Sequence, residues 1–276
     1  MFARELTVAR EAADQAARIL RRHFERGVEP RVKAGGEAVS VADLEADAAI
    51  VAVLRSAFPE DGLLTEESED DLRRLRSHRV WICDPLDGTL DFLSGSRDFA
   101  VHVALALDGV PVVAVVADPM GEAAWCAVRG QGAFKVEGGG TPSPIRHARP
   151  AGAPLRVAIS RLRPSEALER MLERLPPHER IHRGSSGLKA ALVAEGAADV
   201  YFAATSRMRE WDLCAPQLIV EEAGGVMTDL FGRPLIYNRP DVRMRSGLLA
   251  TGAEIHAGVR KSLEPVARTF SWFRDA

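Results

Sequence analysis

Cysteine and long apolar runs are both scarce in this chain, and each scarcity removes a class of protein. Only 3 cysteines occur in 276 residues. Cys83, Cys126 and Cys214 are widely spaced and form no Cys-x-x-Cys pair, which argues against a disulfide framework or a zinc site. A reducing cytoplasm is the expected compartment. The longest apolar stretch, residues 110–117, contains Pro111 and falls far short of the roughly 20 residues that cross a bilayer. Near the start, Arg4, Glu5, Arg10, Glu11 and Asp14 break up the apolar core that a secretion signal needs. No excess of one charge is present either: a net charge of -3 with interspersed signs leaves no footprint for nucleic acid or for a membrane surface. No internal repeat is visible. What remains is 46% hydrophobic, enough for a sizeable core in one large domain or two packed units.

Helical and extended periods alternate along the chain. Leu6, Ala9, Ala13, Ala16, Leu20 and Phe24 form one helical stripe, and Leu44, Ala48, Val51 and Leu54 a second. Phe99, Val101, Val103, Leu105 and Leu107 alternate as a strand, and Asp108-Gly109 then turns the chain into residues 112–116 as a hairpin. A further strand is predicted over 123–128. The Gly- and Pro-rich segment 138–154 reads as a linker. It divides the chain into an N-terminal α+β half, residues 1–150, and a C-terminal α/β half, residues 151–276. In the second half, strands are predicted near 155–160 and 199–203, and helices near 187–195 and 212–223. Periodicity alone supports mixed α and β.

Asp84-Pro85-Leu86-Asp87-Gly88-Thr89 follows the apolar run Val80-Trp81-Ile82-Cys83 and carries the chemistry. Two carboxylates stand three positions apart at a strand end, where Pro85 removes a backbone donor and Gly88 relaxes the turn. The Leu86 carbonyl is expected to leave the ladder, so that Asp84, Leu86 and Asp87 together offer the all-oxygen ligands that Mg2+ prefers. An ordinary Asp-Gly hairpin is the competing reading. Upstream, Glu66 and Glu67 end another element and can face Asp84. Downstream, Asp212 in Glu210-Trp211-Asp212 stands at a helix start, where capping is its other explanation. Asp43 also starts a helix and is open to the same explanation. Lys33 alone reads as a solvated lysine. The 7 histidines form no ligand-spaced pair, and His102, inside a strand, reads as packed rather than catalytic.

In order, Lys33, Ser40-x-x-Asp43, Glu66-Glu67, Asp84-Pro85-Leu86-Asp87-Gly88-Thr89, Gly184-Ser185-Ser186 and Trp211-Asp212 resemble the inositol monophosphatase superfamily of Mg2+-dependent, lithium-sensitive phosphatases. The resemblance covers residues 33–252. It implies the layered α/β/α/β/α sugar-phosphatase fold and at least two Mg2+ ions. Glu66, Asp84 and the Leu86 carbonyl are implied ligands of one ion, and Asp84, Asp87 and Asp212 of a second, with Asp84 bridging. It further implies that Thr89 binds the attacking water and pairs with Asp43 or Glu66. Lys33 is brought toward phosphate by the same register, while Gly88 and Thr89 offer backbone N–H groups to it.

Substrate choice rests on the second half. Gly184-Ser185-Ser186-Gly187-Leu188-Lys189 is similar to the 3′(2′),5′-bisphosphate nucleotidase branch, with Ser185 and Lys189 as implied substrate contacts. Inositol monophosphatases carry a glutamate several residues before Trp-Asp; here Arg207 and Arg209 stand in that region and suit a second phosphate, with Asp212 beside them. Glu210 and Tyr237-Asn238-Arg239-Pro240 also resemble the nucleotidases, but the bacterial segment that should follow the tyrosine is absent. The expected activity is removal of the 3′-phosphate of adenosine 3′,5′-bisphosphate. The alternatives are an inositol-1-phosphatase, a broad sugar-phosphate phosphatase, or a partner-binding regulator of the same fold. The expected partner is a small phosphate monoester, with neither a nucleic acid polymer nor a membrane, and a homodimer is left open.

Overall fold

The computed structural model describes residues 1–27, 31–32, 38–149, 152–162 and 165–270. Helix α1 (Ala3–Arg26) buries the small stripe Ala9, Ala12, Ala13, Ala16 and Leu20, which lets α2 (Val41–Ala57) pack closely along it. In α2 the buried face is Ala42, Asp43, Ala46, Asp47, Ile50 and Leu54, whereas Leu44 and Ala48 are exposed. The stripe predicted through Leu44 is therefore rotated. The reason is chemical: two aspartates on this helix point inward toward other polar groups, and Ala42, Ala46 and Ile50 fill the space between them and the sheet.

That sheet has seven strands in chain order. They are β1 (Gly62–Thr65), β2 (Arg79–Asp87), β3 (Ala100–Leu107), β4 (Val110–Asp118), β5 (Ala123–Val128), β6 (Gly132–Glu137) and β7 (Ser143–Ile145), with the short helix α3 (Thr89–Leu93) between β2 and β3. Only β1 and β2 run parallel. Asp108 and Gly109, both at positive φ, make the predicted hairpin turn. The predicted linker contributes β7 to the sheet edge.

The remaining elements are β8 (Leu155–Ile159), α4 (Glu166–Leu172), β9 (His178–His182), α5 (Ser186–Ala194), β10 (Val200–Ala203), α6 (Glu210–Glu222), β11 (Gly225–Thr228), β12 (Leu248–Gly252) and α7 (Ala253–Ala267). Their sheet runs β9-β8-β10-β12-β11. Because side chains alternate along a strand, β3 sends Val101, Val103 and Leu105 to α1 and α2 and turns Ala100, Ala104 and Ala106 to the opposite face. There α5 and α6 lie between the two sheets, while α4 and α7 cover the outer face of the second. The result is the expected α/β/α/β/α stack. The three cysteines are free and buried, and no helix among the described residues is long and apolar enough to cross a membrane.

Candidate active site

Strand β2 carries the centre of the site. Its ladder pairs Asp84 with His102 and Asp87 with Ala100, and the register slips between them, so Pro85 and Leu86 sit in a bulge. The strand thus continues to Asp87 rather than ending at Asp84. Gly88, at φ 102°, then turns the chain into α3, not into a hairpin. Asp84 is 1% exposed; its Oδ1 accepts the Leu86 N–H at 2.9 Å, and its Oδ2 is buried without a partner. Asp87 is gripped from α5: its Oδ2 accepts the Ser185 hydroxyl, the Ser186 hydroxyl at 2.9 Å and the Gly187 N–H at 3.0 Å. His102 Nε2 lies 3.2 Å from the same oxygen, an ion-pair distance that is off hydrogen-bond alignment. Asp212, third residue of α6, accepts the Arg209 N–H on Oδ2 at 2.6 Å. One oxygen from each of Asp84, Asp87 and Asp212 lies within 4.8 Å of the others.

Carboxylates this close repel one another when ionised. Burial, then the charges of Glu66, Asp87 and Asp212, pushes the Asp84 carboxyl well above the usual range. Burial and the Asp87 charge push Asp212 up to about 7. At Asp87 burial acts upward too, but the His102 imidazole, the Lys189 ammonium and the Ser185 hydroxyl outweigh it and hold the carboxyl low. An orphaned buried oxygen on Asp84 within an oxygen-only donor set fits a hard divalent cation.

The other predicted residues surround this cluster to different degrees. Ser40 caps α2, with its N–H donating to Asp43 Oδ2 at 2.7 Å, so the Ser-x-x-Asp spacing is a capping box. Asp43 Oδ1 is 3.4 Å from Thr89 Oγ1, which also lies 3.3 Å from the Leu86 carbonyl. Glu66 follows β1 and is near enough to raise Asp84 electrostatically. Its loop is closed by the Ser68 N–H on Thr65 Oγ1 and pinned to α2 by Ser68 Oγ on Asp47 Oδ2 at 2.6 Å. Ser185 caps α5 through the Leu188 N–H. Lys189 is buried, donates to the Ser185 carbonyl at 2.5 Å and lies 5.2 Å from the Tyr201 ring, so its charge acts on Asp87 from inside the protein. Arg207 is exposed, and Arg209 stands opposite Arg243 in a two-residue ribbon leading into α6. Lys33 lies outside the described residues.

Several contacts around the site are visible only in the fold. His102 is packed, as its strand position predicts, yet it also faces Asp87. The signal was Gly187: a Cβ there would run into His102 Nε2, so only glycine lets the ring reach the head of α5. Glu210 is fully buried and accepts the Asn238 N–H at 2.6 Å and the Arg239 N–H at 2.9 Å. Arg74, 2% exposed, donates to Asp70 at 2.7 Å, Asn238 Oδ1 at 2.8 Å and the Arg239 carbonyl at 3.0 Å. Together they tie the loop after Tyr237 to α6 and to the turn beyond Glu67.

The sequence profile of the inositol monophosphatase family matches residues 3–266. The chain belongs to the inositol monophosphatase family. It is a phosphoric monoester hydrolase of that metal-dependent family and is similar to its bisphosphate nucleotidase branch. It is 34% identical over 231 residues to the 3′(2′),5′-bisphosphate nucleotidase CysQ of Aggregatibacter actinomycetemcomitans, covering 83% of this chain and 86% of the relative. It is 38% identical to a 3′-phosphoadenosine 5′-phosphate phosphatase of Mycobacterium bovis, over 72% of each chain. The crystal structure of the extragenic suppressor protein suhB from Bartonella henselae superposes with a TM-score of 0.80 at 29% identity, covering 95% of this chain and 99% of the other.

Proposed function

We propose that this member of the family is a Mg2+-dependent phosphomonoesterase that converts adenosine 3′,5′-bisphosphate to AMP and phosphate. The observation that carries the reading is the pairing of the carboxylate cluster with cationic side chains at the head of α6. Arg209 is near enough to lower the proton affinity of Asp212, Arg243 stands opposite it on the ribbon, and Arg207 precedes the ribbon. A substrate with one phosphate on the cluster leaves a second anionic group for guanidinium donors, which suit phosphate geometry. The names of the nucleotidase relatives point the same way.

Glu66, Asp84 and the Leu86 carbonyl would hold one ion, and Asp84, Asp87 and Asp212 a second. When bound, such ions neutralise phosphoryl oxygens and lower the pKa of a nearby water. Thr89 Oγ1 then orients the attacking water, with Asp43 Oδ1 one hydrogen bond away to receive its proton. The water oxygen bonds to phosphorus as the bond to O3′ breaks, and the leaving alkoxide takes up a proton from solvent while Asp43 later returns its own to solvent.

One observation favours the runner-up, an inositol- or sugar-phosphate phosphatase. Tyr237 is buried with its hydroxyl on Gln217 at 2.6 Å, so it is engaged in packing and not free to meet a base. A phosphate-release panel with Mg2+ decides between the two. Adenosine 3′,5′-bisphosphate is expected to exceed inositol-1-phosphate in kcat/KM by roughly 10-fold, the value of one extra charged contact, and to exceed fructose-1,6-bisphosphate as well. A higher kcat/KM on inositol-1-phosphate would replace the nucleotidase reading with the runner-up.

A further inference from the structure

We infer that His102 is a positioning residue that sets the spacing between Asp87 and Asp212, an inference that rests on reading those carboxylates as cation ligands. Its ring is 0% exposed. Nδ1 lies 3.2 Å from the Trp211 carbonyl, which can only accept. Nε2 faces Asp87 Oδ2 at 3.2 Å. One rigid ring therefore spans from the Asp87 side chain to the peptide immediately before Asp212. Nothing else on this face of β3 is polar in that way: its inward neighbours are Ala100, Ala104 and Ala106. Burying an imidazole has a desolvation cost that alanine avoids, and of the two polar groups that meet the ring one is a clustered carboxylate and the other the carbonyl just before Asp212.

The surrounding contacts divide the labour between the two Asp87 oxygens. Ser185, Ser186, Gly187 and His102 all converge on Oδ2, which fixes the orientation of the carboxylate and leaves Oδ1 outside those contacts. Ser186 Oγ also lies 3.0 Å from the Asp212 carbonyl, so α5 and α6 meet beside the ring. Without the imidazole, Asp87 keeps its α5 donors and the Ser186 bridge to the Asp212 carbonyl but loses the ring that braces the Trp211 peptide, and Asp212 is freer to drift from the distance a shared cation requires. Metal affinity at that position should fall while the fold persists.

Mn2+ binding, read by electron paramagnetic resonance of the free ion at fixed pH, tests this on the whole protein. Asp212→Asn is expected to weaken one Mn2+ equivalent by at least tenfold. His102→Leu is expected to weaken the same equivalent by about tenfold, with the thermal midpoint in EDTA close to that of the starting protein; His102→Asn, which restores a donor, should fall between. If Asp212→Asn weakens binding and His102→Leu leaves it within twofold, the positioning role is wrong and the site reading stands. If Asp212→Asn itself changes nothing, the site reading fails and takes the inference with it. Should the leucine variant not fold, His102→Asn carries the test: weakening of that equivalent supports the inference, and unchanged affinity overturns it. Weakening in both variants that merely tracks a fall in the metal-free thermal midpoint marks a packing role and also overturns it.

Discussion

Each clustered aspartate commits one oxygen to the fold: Asp84 to Leu86, Asp87 to the head of α5, and Asp212 to Arg209. Substituting an amide therefore separates chemistry from structure. In Asp84→Asn the side-chain oxygen can still accept the Leu86 N–H, and a buried carboxylate repelled by Glu66, Asp87 and Asp212 disappears. Turnover should drop by at least ~100-fold, because a shared ligand of transition-state-stabilising cations is weakened. The metal-free variant should melt no lower than the wild type near neutral pH. A folded variant with near wild-type turnover would remove Asp84 from the site. Arg207 and Arg209 answer a different question. Removing a charge-assisted contact worth about 1.5–3 kcal/mol should raise KM for adenosine 3′,5′-bisphosphate roughly 10-fold in either alanine variant. Hydrolysis of a small monophosphate should scarcely change, and equal small effects on both substrates would mark the two arginines as solvated charges.

Between elements, the longest polar link runs from the turn after Glu67 to α6, through Arg74, the loop at Asn238 and Glu210. Arg74→Met keeps much of the buried stem but leaves Asp70 and Asn238 without their donor. Breaking a buried ion pair by removing one partner costs about 3–5 kcal/mol, discounted here toward the lower figure because Asp70 is partly exposed. Urea unfolding should show the midpoint lowered with an unchanged m-value; an unshifted midpoint would make the link ornamental. Sequence could not show this link, since 164 positions separate Arg74 from Asn238. What was legible was local. The Asp108-Gly109 turn and the alternation of β3 each follow from neighbouring residues, whereas Pro85 makes a bulge where a strand end was expected. The clustering of Asp84, Asp87 and Asp212 was legible only through the family resemblance that the order of the motifs carries. The hidden partners, His102, Asp47, Ser186 and Glu210, depend on which helix the topology brings against which strand. The rotated face of α2 was hidden for a related reason: apolar residues alone draw its stripe through Leu44, and the fold turns Asp43 and Asp47 inward.

At the scale of the whole molecule, the cluster joins layers. Asp84 and Asp87 belong to the seven-stranded sheet, and Asp212 to a helix packed between both sheets. Their mutual repulsion is thus borne by the packing of the sheet against the middle helices, and its pH dependence has a definite sign. Asp212 titrates near 7 in the fold against an ordinary value of 3.8, and Asp84 is shifted upward as well. Between roughly pH 4 and pH 7 the metal-free native state holds more protons than the unfolded chain, so its stability falls as pH rises through that window. A bound cation requires the ionised carboxylates and reverses the penalty, so its stabilising effect should grow over the same range. The metal-free protein should therefore melt progressively lower from pH 5 to pH 8, while the increase in thermal midpoint caused by millimolar Mg2+ widens. Asp212→Asn, which cannot ionise, should flatten both trends. A thermal midpoint at pH 8 that is the same with Mg2+ and with EDTA would mean that no cation joins these layers, and the carboxylates would then need another partner to hold them together.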